Sequence, residues 1–102
     1  MSVSVAPKVI ITLLNRTAIL GGSAVFECRV QLGIPRARLH WHVGDGELPG
    51  TNEKYRVSYD DVSEVARLEI LRCATSDAGR YGFIAVNQAG EASSDANLEV
   101  VG

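Results

Sequence analysis

Neither sign of charge dominates this chain: ten Lys plus Arg stand against twelve Asp plus Glu, a net charge of -2. Such a balance excludes the electrostatic footprint of a nucleic-acid or membrane-surface binder and leaves protein as the expected partner. No apolar run approaches the roughly 18 residues of a membrane span. The opening Met1-Ser2-Val3-Ser4-Val5-Ala6-Pro7 has neither the basic nor the apolar region of a signal peptide. Linkers, internal repeats and low-complexity tracts are missing too, so residues 1–102 read as one domain with its core over about 6–101. What remains is ordinary globular composition, 46% hydrophobic and 22% charged, which suits neither disorder nor coiled coil. A domain of this size buries roughly two thirds of its unfolded surface, enough for one core but not for a deep cavity beside it. Neither a small-molecule substrate nor a cofactor is therefore expected.

Helical periodicity of useful length is also absent. Turn signals recur at short intervals: Gly21-Gly22, Gly33-Ile34-Pro35, Gly44-Asp45-Gly46, Pro49-Gly50-Thr51-Asn52, Tyr59-Asp60-Asp61, Asp77-Ala78-Gly79 and Asn87-Gln88-Ala89-Gly90. The short segments between them alternate with period two, as half-buried strands do. Ala24, Phe26, Cys28 and Val30 form an apolar face against Val25, Glu27 and Arg29. Leu39 and Trp41 alternate with Arg38, His40 and His42; Leu68 and Ile70 with Arg67 and Glu69; Tyr81, Phe83 and Ala85 with Arg80 and Gly82. Leu98 and Val100 repeat the pattern near the end. Strands with one wet face must bury the other against a second sheet, so the expected class is an all-β sandwich. One helical turn is expected within 71–77.

The run Leu68-Glu69-Ile70-Leu71-Arg72-Cys73-Ala74-Thr75-Ser76-Asp77-Ala78-Gly79-Arg80-Tyr81 resembles the L-x-I-x-x-V-x-x-x-D-x-G-x-Y signature of immunoglobulin domains of the intermediate (I) set. Cys28, Trp41 thirteen residues later, the hairpin Asn87-Gln88-Ala89-Gly90-Glu91 and the opening Ala6-Pro7-Lys8-Val9 fall in that family's order. The resemblance implies two antiparallel sheets with strands A, B, E and D facing A', G, F, C and C' (chain order A-A'-B-C-C'-D-E-F-G). It implies a core built on Cys28, Trp41, Leu68, Ile70, Cys73, Asp77, Gly79, Tyr81 and Phe83, with the Tyr81 hydroxyl returning to the nearby backbone as a tyrosine corner. Gly79 is expected to allow tight approach to the strand. Asp77 is expected to accept from amides of its own turn or to pair with Arg56 or Arg67. The Cys-to-Trp spacing is one residue longer than the family's usual value, which puts an insertion at Gly33 to Pro35.

The family's D-x-G-x-Y-x-C motif ends here in Phe83, so the B-F disulfide has lost one half. An inward Phe83 ring contributes about 1.5–3 kcal/mol by burial, against about 4 kcal/mol for the missing loop closure. Cys73 takes a small apolar position at the end of the E-strand motif, where a bond to Cys28 needs α-carbons within about 7 Å. Two buried free thiols are the expected state. Unpaired thiols in an all-β domain point to a reducing compartment. The likeness is then to domains of the giant intracellular muscle and cytoskeletal proteins: titin, obscurin, myomesin, myosin-binding protein C and palladin. The triplet Asn15-Arg16-Thr17 fits an N-glycosylation sequon, which stays silent in that setting.

Chemistry-bearing patterns are sparse. His40 and His42 share one strand face and supply two nitrogens but no evident third ligand, so no metal is expected. Asp45 and Asp60-Asp61 lack calcium-loop spacing, and Gly21-Gly22 lacks the Lys-Ser/Thr of a phosphate loop. No nucleophile elbow is present, so no enzyme is expected. Arg29, Arg36, Arg38 and Arg80 are expected to pair with Glu27, Glu69 or Glu91 on neighbouring strands. The wet C-F-G face, carrying Arg38, His40, His42, Arg80 and Gly82, is the expected partner surface, Gly82 and Ala85 leaving it shallow enough for close backbone approach. Exposed edge strands offer a second route.

The function expected is a structural and protein-binding module of a larger cytoplasmic sarcomeric or cytoskeletal protein, its partners being other proteins or neighbouring domains. Its mechanics would rest on residues 13–19 against 98–101, where Pro at Val100 is expected to remove a ladder donor. The alternatives are an extracellular adhesion or receptor domain, or a regulatory domain beside a kinase or exchange factor.

Overall fold

A computed structural model describes residues 3–48 and 50–102. Met1 and Ser2 of the opening segment, and Pro49 of the fourth turn signal, lie outside the described residues. The strands are β1 (Lys8–Ile11), β2 (Arg16–Ile19), β3 (Ala24–Gln31), β4 (Arg38–Val43), β5 (Gly46–Glu47), β6 (Tyr55–Asp60), β7 (Val65–Ile70), β8 (Gly79–Asn87) and β9 (Gly90–Val101), with a 3-10 turn at Thr75–Asp77. They form two sheets in the orders β1-β3-β7-β6 and β2-β9-β8-β4-β5. These are the A-B-E-D and A'-G-F-C-C' sheets that the resemblance implies.

The alternation that defines each strand also builds the core. Along β3, Ala24, Phe26, Cys28 and Val30 are buried while Glu27 and Arg29 are exposed. Leu68 and Ile70 of β7 answer from the same sheet, and Trp41, Tyr81, Phe83, Ala85, Ala96 and Leu98 from the other. Apolar faces of this kind have nowhere to go except against each other, which is why the layers stack.

Two expectations shift. Tyr59 and Asp60 belong to β6, not to a turn: the half-buried Tyr59 donates its hydroxyl to Val30 O (2.8 Å), which holds the strand straight to its end. The turn follows one residue later, where Asp60 Oδ1 accepts from Val62 N (2.8 Å) and Glu64 N donates to Asp60 O (2.8 Å). The hydrogen bonds to Val62 and Ser63 hold the Asp60 carboxyl below its ordinary pKa.

Among the described residues all strand pairings are antiparallel except one: β2 runs parallel to β9, with Arg16 opposite Leu98 and Ile19 opposite Val101. Leu20 N donates to Val101 O (2.7 Å), so Val101 turns its backbone groups toward β2. By strand alternation Glu99 does the same and Val100 turns away. The donors that β9 turns toward β2 therefore sit at Glu99 and Val101, and the expectation for Val100 is corrected by one residue.

Candidate functional site

The support under the candidate face begins at the missing disulfide. Phe83 is fully buried, directly opposite Trp41 across the β4-β8 ladder, with ring centroids 5.1 Å apart in an edge-on arrangement. Phe26 meets Tyr81 at 5.3 Å. Edge-on and tilted aromatic pairs contribute about 0.5–1.5 kcal/mol beyond their area. Both cysteines are free and buried. Burial pushes the Cys28 thiol from 9.0 up to about 12, and Cys73 is raised by burial first and by the nearby Asp77 second. Thiols held protonated in this way are inert small hydrophobes. The Trp41 Nε1–H is buried without a hydrogen-bond partner among the described residues.

The E-F connection is stapled from both sides. Tyr81 donates its hydroxyl to Asp77 O (2.7 Å), completing the tyrosine corner, and burial raises its pKa. Asp77 Oδ2 accepts from Ala74 N (2.7 Å) and from Lys54 Nζ (2.6 Å). Neither Arg56 nor Arg67 is its partner. Both lie on the outer face of the β6-β7 pair, Arg56 4.0 Å from Glu69 and Arg67 3.9 Å from Glu27, whereas Lys54 precedes β6 at the end of the sheet and reaches under it. Lys54 Nζ also donates to Arg72 O (3.0 Å). Gly79 plays a different part from the one expected. Nothing lies within 4 Å of a Cβ placed there, and its φ of 148° is the reason for glycine.

On the outer face of the second sheet, Glu47, His42, Gly82 and Asp95 stand opposite one another in a row across β5, β4, β8 and β9. His40 Nδ1 lies 3.4 Å from Glu47 Oε1, and Arg80 makes a forked contact to Asp95 through Nε (3.1 Å) and Nη2 (2.6 Å). Arg38 is exposed at the end of the same face. Gly82 is not free for a partner: it is buried because the His42 imidazole lies over it, where a Cβ would collide with ring atoms. Ala85 faces the core. The surface is thus a polar plateau of Arg38, His40, His42 and Arg80 with its carboxylate partners, not a shallow bed for backbone. Among the described residues no group of three His, Cys, Asp or Glu side chains could hold a metal ion.

Arginine pairing follows local register more closely than the sequence suggests. Arg29 pairs with Glu64 (3.2 Å), Arg36 with Asp61 (2.5 Å) and Arg80 with Asp95, since Glu27 and Glu69 are taken by Arg67 and Arg56. The longer B-C loop at 32–37 docks on the amino-terminal segment. Val5 N donates to Ile34 O (2.7 Å), and Asn87 Nδ2 donates to both Val5 O (2.8 Å) and Pro35 O (2.9 Å). Sequence reasoning placed Asn87 only in a hairpin. Its reach to segments 52 and 82 residues away leaves no local signal.

Two packed sheets, one of them edged by a parallel β2-β9 pair, with a tyrosine corner and a core tryptophan, define an immunoglobulin-type domain. The chain belongs to the immunoglobulin I-set domain family, which it matches over residues 7–100. It is 35% identical over 94 residues to cardiac-type myosin-binding protein C of Gallus gallus, covering 92% of this chain and 7% of that protein. It is also 35% identical over 96 residues to hemicentin-1 of Mus musculus, covering 93% of this chain and 2% of that protein. Among solved structures it resembles titin M4, with a TM-score of 0.88 and 31% identity over 98% of this chain and all of that one. The chain therefore spans only a small fraction of the curated relatives it matches.

Proposed function

We propose that this domain is a non-catalytic structural and protein-binding module of a larger cytoplasmic muscle or cytoskeletal protein. Force applied between its ends loads the parallel β2-β9 pairing in shear, and this pairing is the observation that carries the reading. In that geometry the four registered pairs from Arg16–Leu98 to Ile19–Val101 resist together, not one after another. The buried, unpaired thiols and the likeness to titin and myosin-binding protein C support the intracellular setting. Protein partners meet the plateau of Arg38, His40, His42 and Arg80. Single-molecule pulling tests the mechanics: Glu99→Pro removes a β2-facing donor and lowers the unfolding force, while Val100→Pro, on the other side of the strand, lowers it less. Equal forces for Glu99→Pro and wild type would overturn the proposal.

A second reading, an extracellular adhesion or receptor domain, draws on the exposed Asn15-Arg16-Thr17 triplet. Asn15 Oδ1 accepts from Asn97 N (2.9 Å), which ties that side chain to β9. Mass spectrometry of the protein from its native source decides between the two: an unmodified Asn15 with two free thiols supports the first, and glycan mass supports the second.

A further inference from the structure

β6 is an outer strand of the four-stranded sheet, six residues long and evenly registered against β7 from Tyr55–Ile70 to Asp60–Val65. The other outer strands are blunted: β5 has two residues, β2 has four, and β1 loses register between Val9 and Ile11. A long straight edge is a template for another strand unless something closes it. Here the closure is made by two exposed residues of the preceding loop. Lys54 O accepts from Leu71 N (2.8 Å) on the β7 side, so the odd-numbered residues of β6 turn their backbone groups outward. Asn52 serves Tyr55, its N–H donating to Tyr55 O (2.8 Å) and its Oδ1 accepting from Tyr55 N (2.9 Å). Thr51 serves Val57, its hydroxyl accepting from Val57 N (3.1 Å) and donating to Val57 O (3.2 Å). Tyr59 continues the outward row beyond them.

We infer that the partner this edge fits is a second copy of itself, pairing through antiparallel β6 strands with Val57 opposite the other copy's Tyr59, and that Thr51 and Asn52 hold this interface closed. The register follows from two constraints. An antiparallel ladder exchanges bonds only between outward-turned residues, so odd positions must oppose odd positions. Of the registers centred on the strand, the one centred on Ser58 sets Arg56 against Asp60 twice on the exposed face. Centring on Val57 would set Arg56 against Ser58, and centring on Tyr59 would set it against Val62. Opposite charges directly across a ladder are favourable, and Arg56 is only loosely held at 4.0 Å from Glu69. Val57 and Tyr59, both half-buried, meet on the inner face.

Sedimentation velocity over a concentration series, with amide hydrogen exchange, tests this on the whole chain. Thr51→Val with Asn52→Ala removes three of the four closing bonds and leaves the Asn52 N–H to Tyr55 O, and the variant is expected to dimerise at least about tenfold more tightly than wild type, one closing bond being worth about that factor. Tyr59's amide becomes protected only in the dimer. Adding Arg56→Asp weakens the dimer by about tenfold through like-charge pairs, and adding Asp60→Arg to that restores it. A folded variant that stays monomeric, a dimer with Tyr59 unprotected, or one indifferent to Arg56→Asp overturns the inference. If the double variant does not fold, wild type still decides: a Val57 amide exchanging as fast as an open-edge amide would show that Thr51 closes nothing.

Discussion

Replacing Phe83 by cysteine separates what the buried ring contributes from what a sulfur bridge would. The ring is fully buried and packs edge-on against Trp41, so its removal leaves a cavity in a rigid core. Truncating a buried phenylalanine costs about 3–5 kcal/mol, and a cysteine refills only a small part of that space. The reduced variant should therefore lie about 3 kcal/mol below wild type in urea-denaturation experiments. In the oxidised variant a bond from Cys28 to the new sulfur at position 83 closes a loop of about 55 residues, worth about 4 kcal/mol in the chain-entropy account. The two effects nearly cancel, and the oxidised variant should return to within about 1 kcal/mol of wild type. The assay is a pair of urea titrations with and without reductant, together with mass mapping of the bridge. If the reduced variant matches wild type, the ring is not what holds the two layers. If oxidation forms no bridge to Cys28, the two positions do not face each other.

Lys54→Met should cost about 1.5–3 kcal/mol, because it strips a nearly buried carboxylate at Asp77 of a charged donor; Arg56→Met and Arg67→Met should each cost under about 1 kcal/mol, and the reverse order in urea midpoints would reinstate an arginine as the partner of Asp77. Tyr81→Phe should cost about 1 kcal/mol by removing the bond to Asp77 O, and an unchanged midpoint would mean that the corner is decorative. Stability should also depend on pH through Cys28, whose folded pKa of about 12 lies above the ordinary 9.0. The unfolded chain loses that proton first, so the contribution is complete below pH 9 and is lost toward pH 12, at up to about 1.4 kcal/mol per unit. The gap in stability between wild type and Cys28→Ala should narrow over that range, and a constant gap refutes the assignment.

The strands with one wet face were legible because alternation in β3 and β7 maps directly onto burial and alternation in β4 and β8 puts Trp41, Tyr81, Phe83 and Ala85 inside. The sheet order came from the family likeness, since period two says which face is buried but not which strand lies alongside. Tyr59-Asp60-Asp61 misled because aspartate suits both a turn and a strand end, and only the tyrosine hydroxyl reaching Val30 O decides. The errors at the candidate site share one cause. Lys54 under Asp77, His42 over Gly82 and Asp95 beside Arg80 each depend on where a side chain lands after two strands have come together. Alternation correctly put the histidines outside; it carried no information on an imidazole lying over its neighbour.

Asn87 joins three stretches of chain through one carboxamide: its own hairpin, the B-C loop at Pro35 O and the leading segment at Val5 O. That clasp adds to the backbone exchange of Val5 with Ile34 in fastening the leading segment. With the amide replaced, among the described residues only the backbone exchange of Val5 with Ile34 and the bond from Gln88 Nε2 to Ser4 Oγ still hold the leading segment, so a protease would clip it sooner than in wild type while both sheets stay intact. The hairpin end of β9, opposite its shear contact with β2, thus has its own release threshold, to which a single side chain contributes.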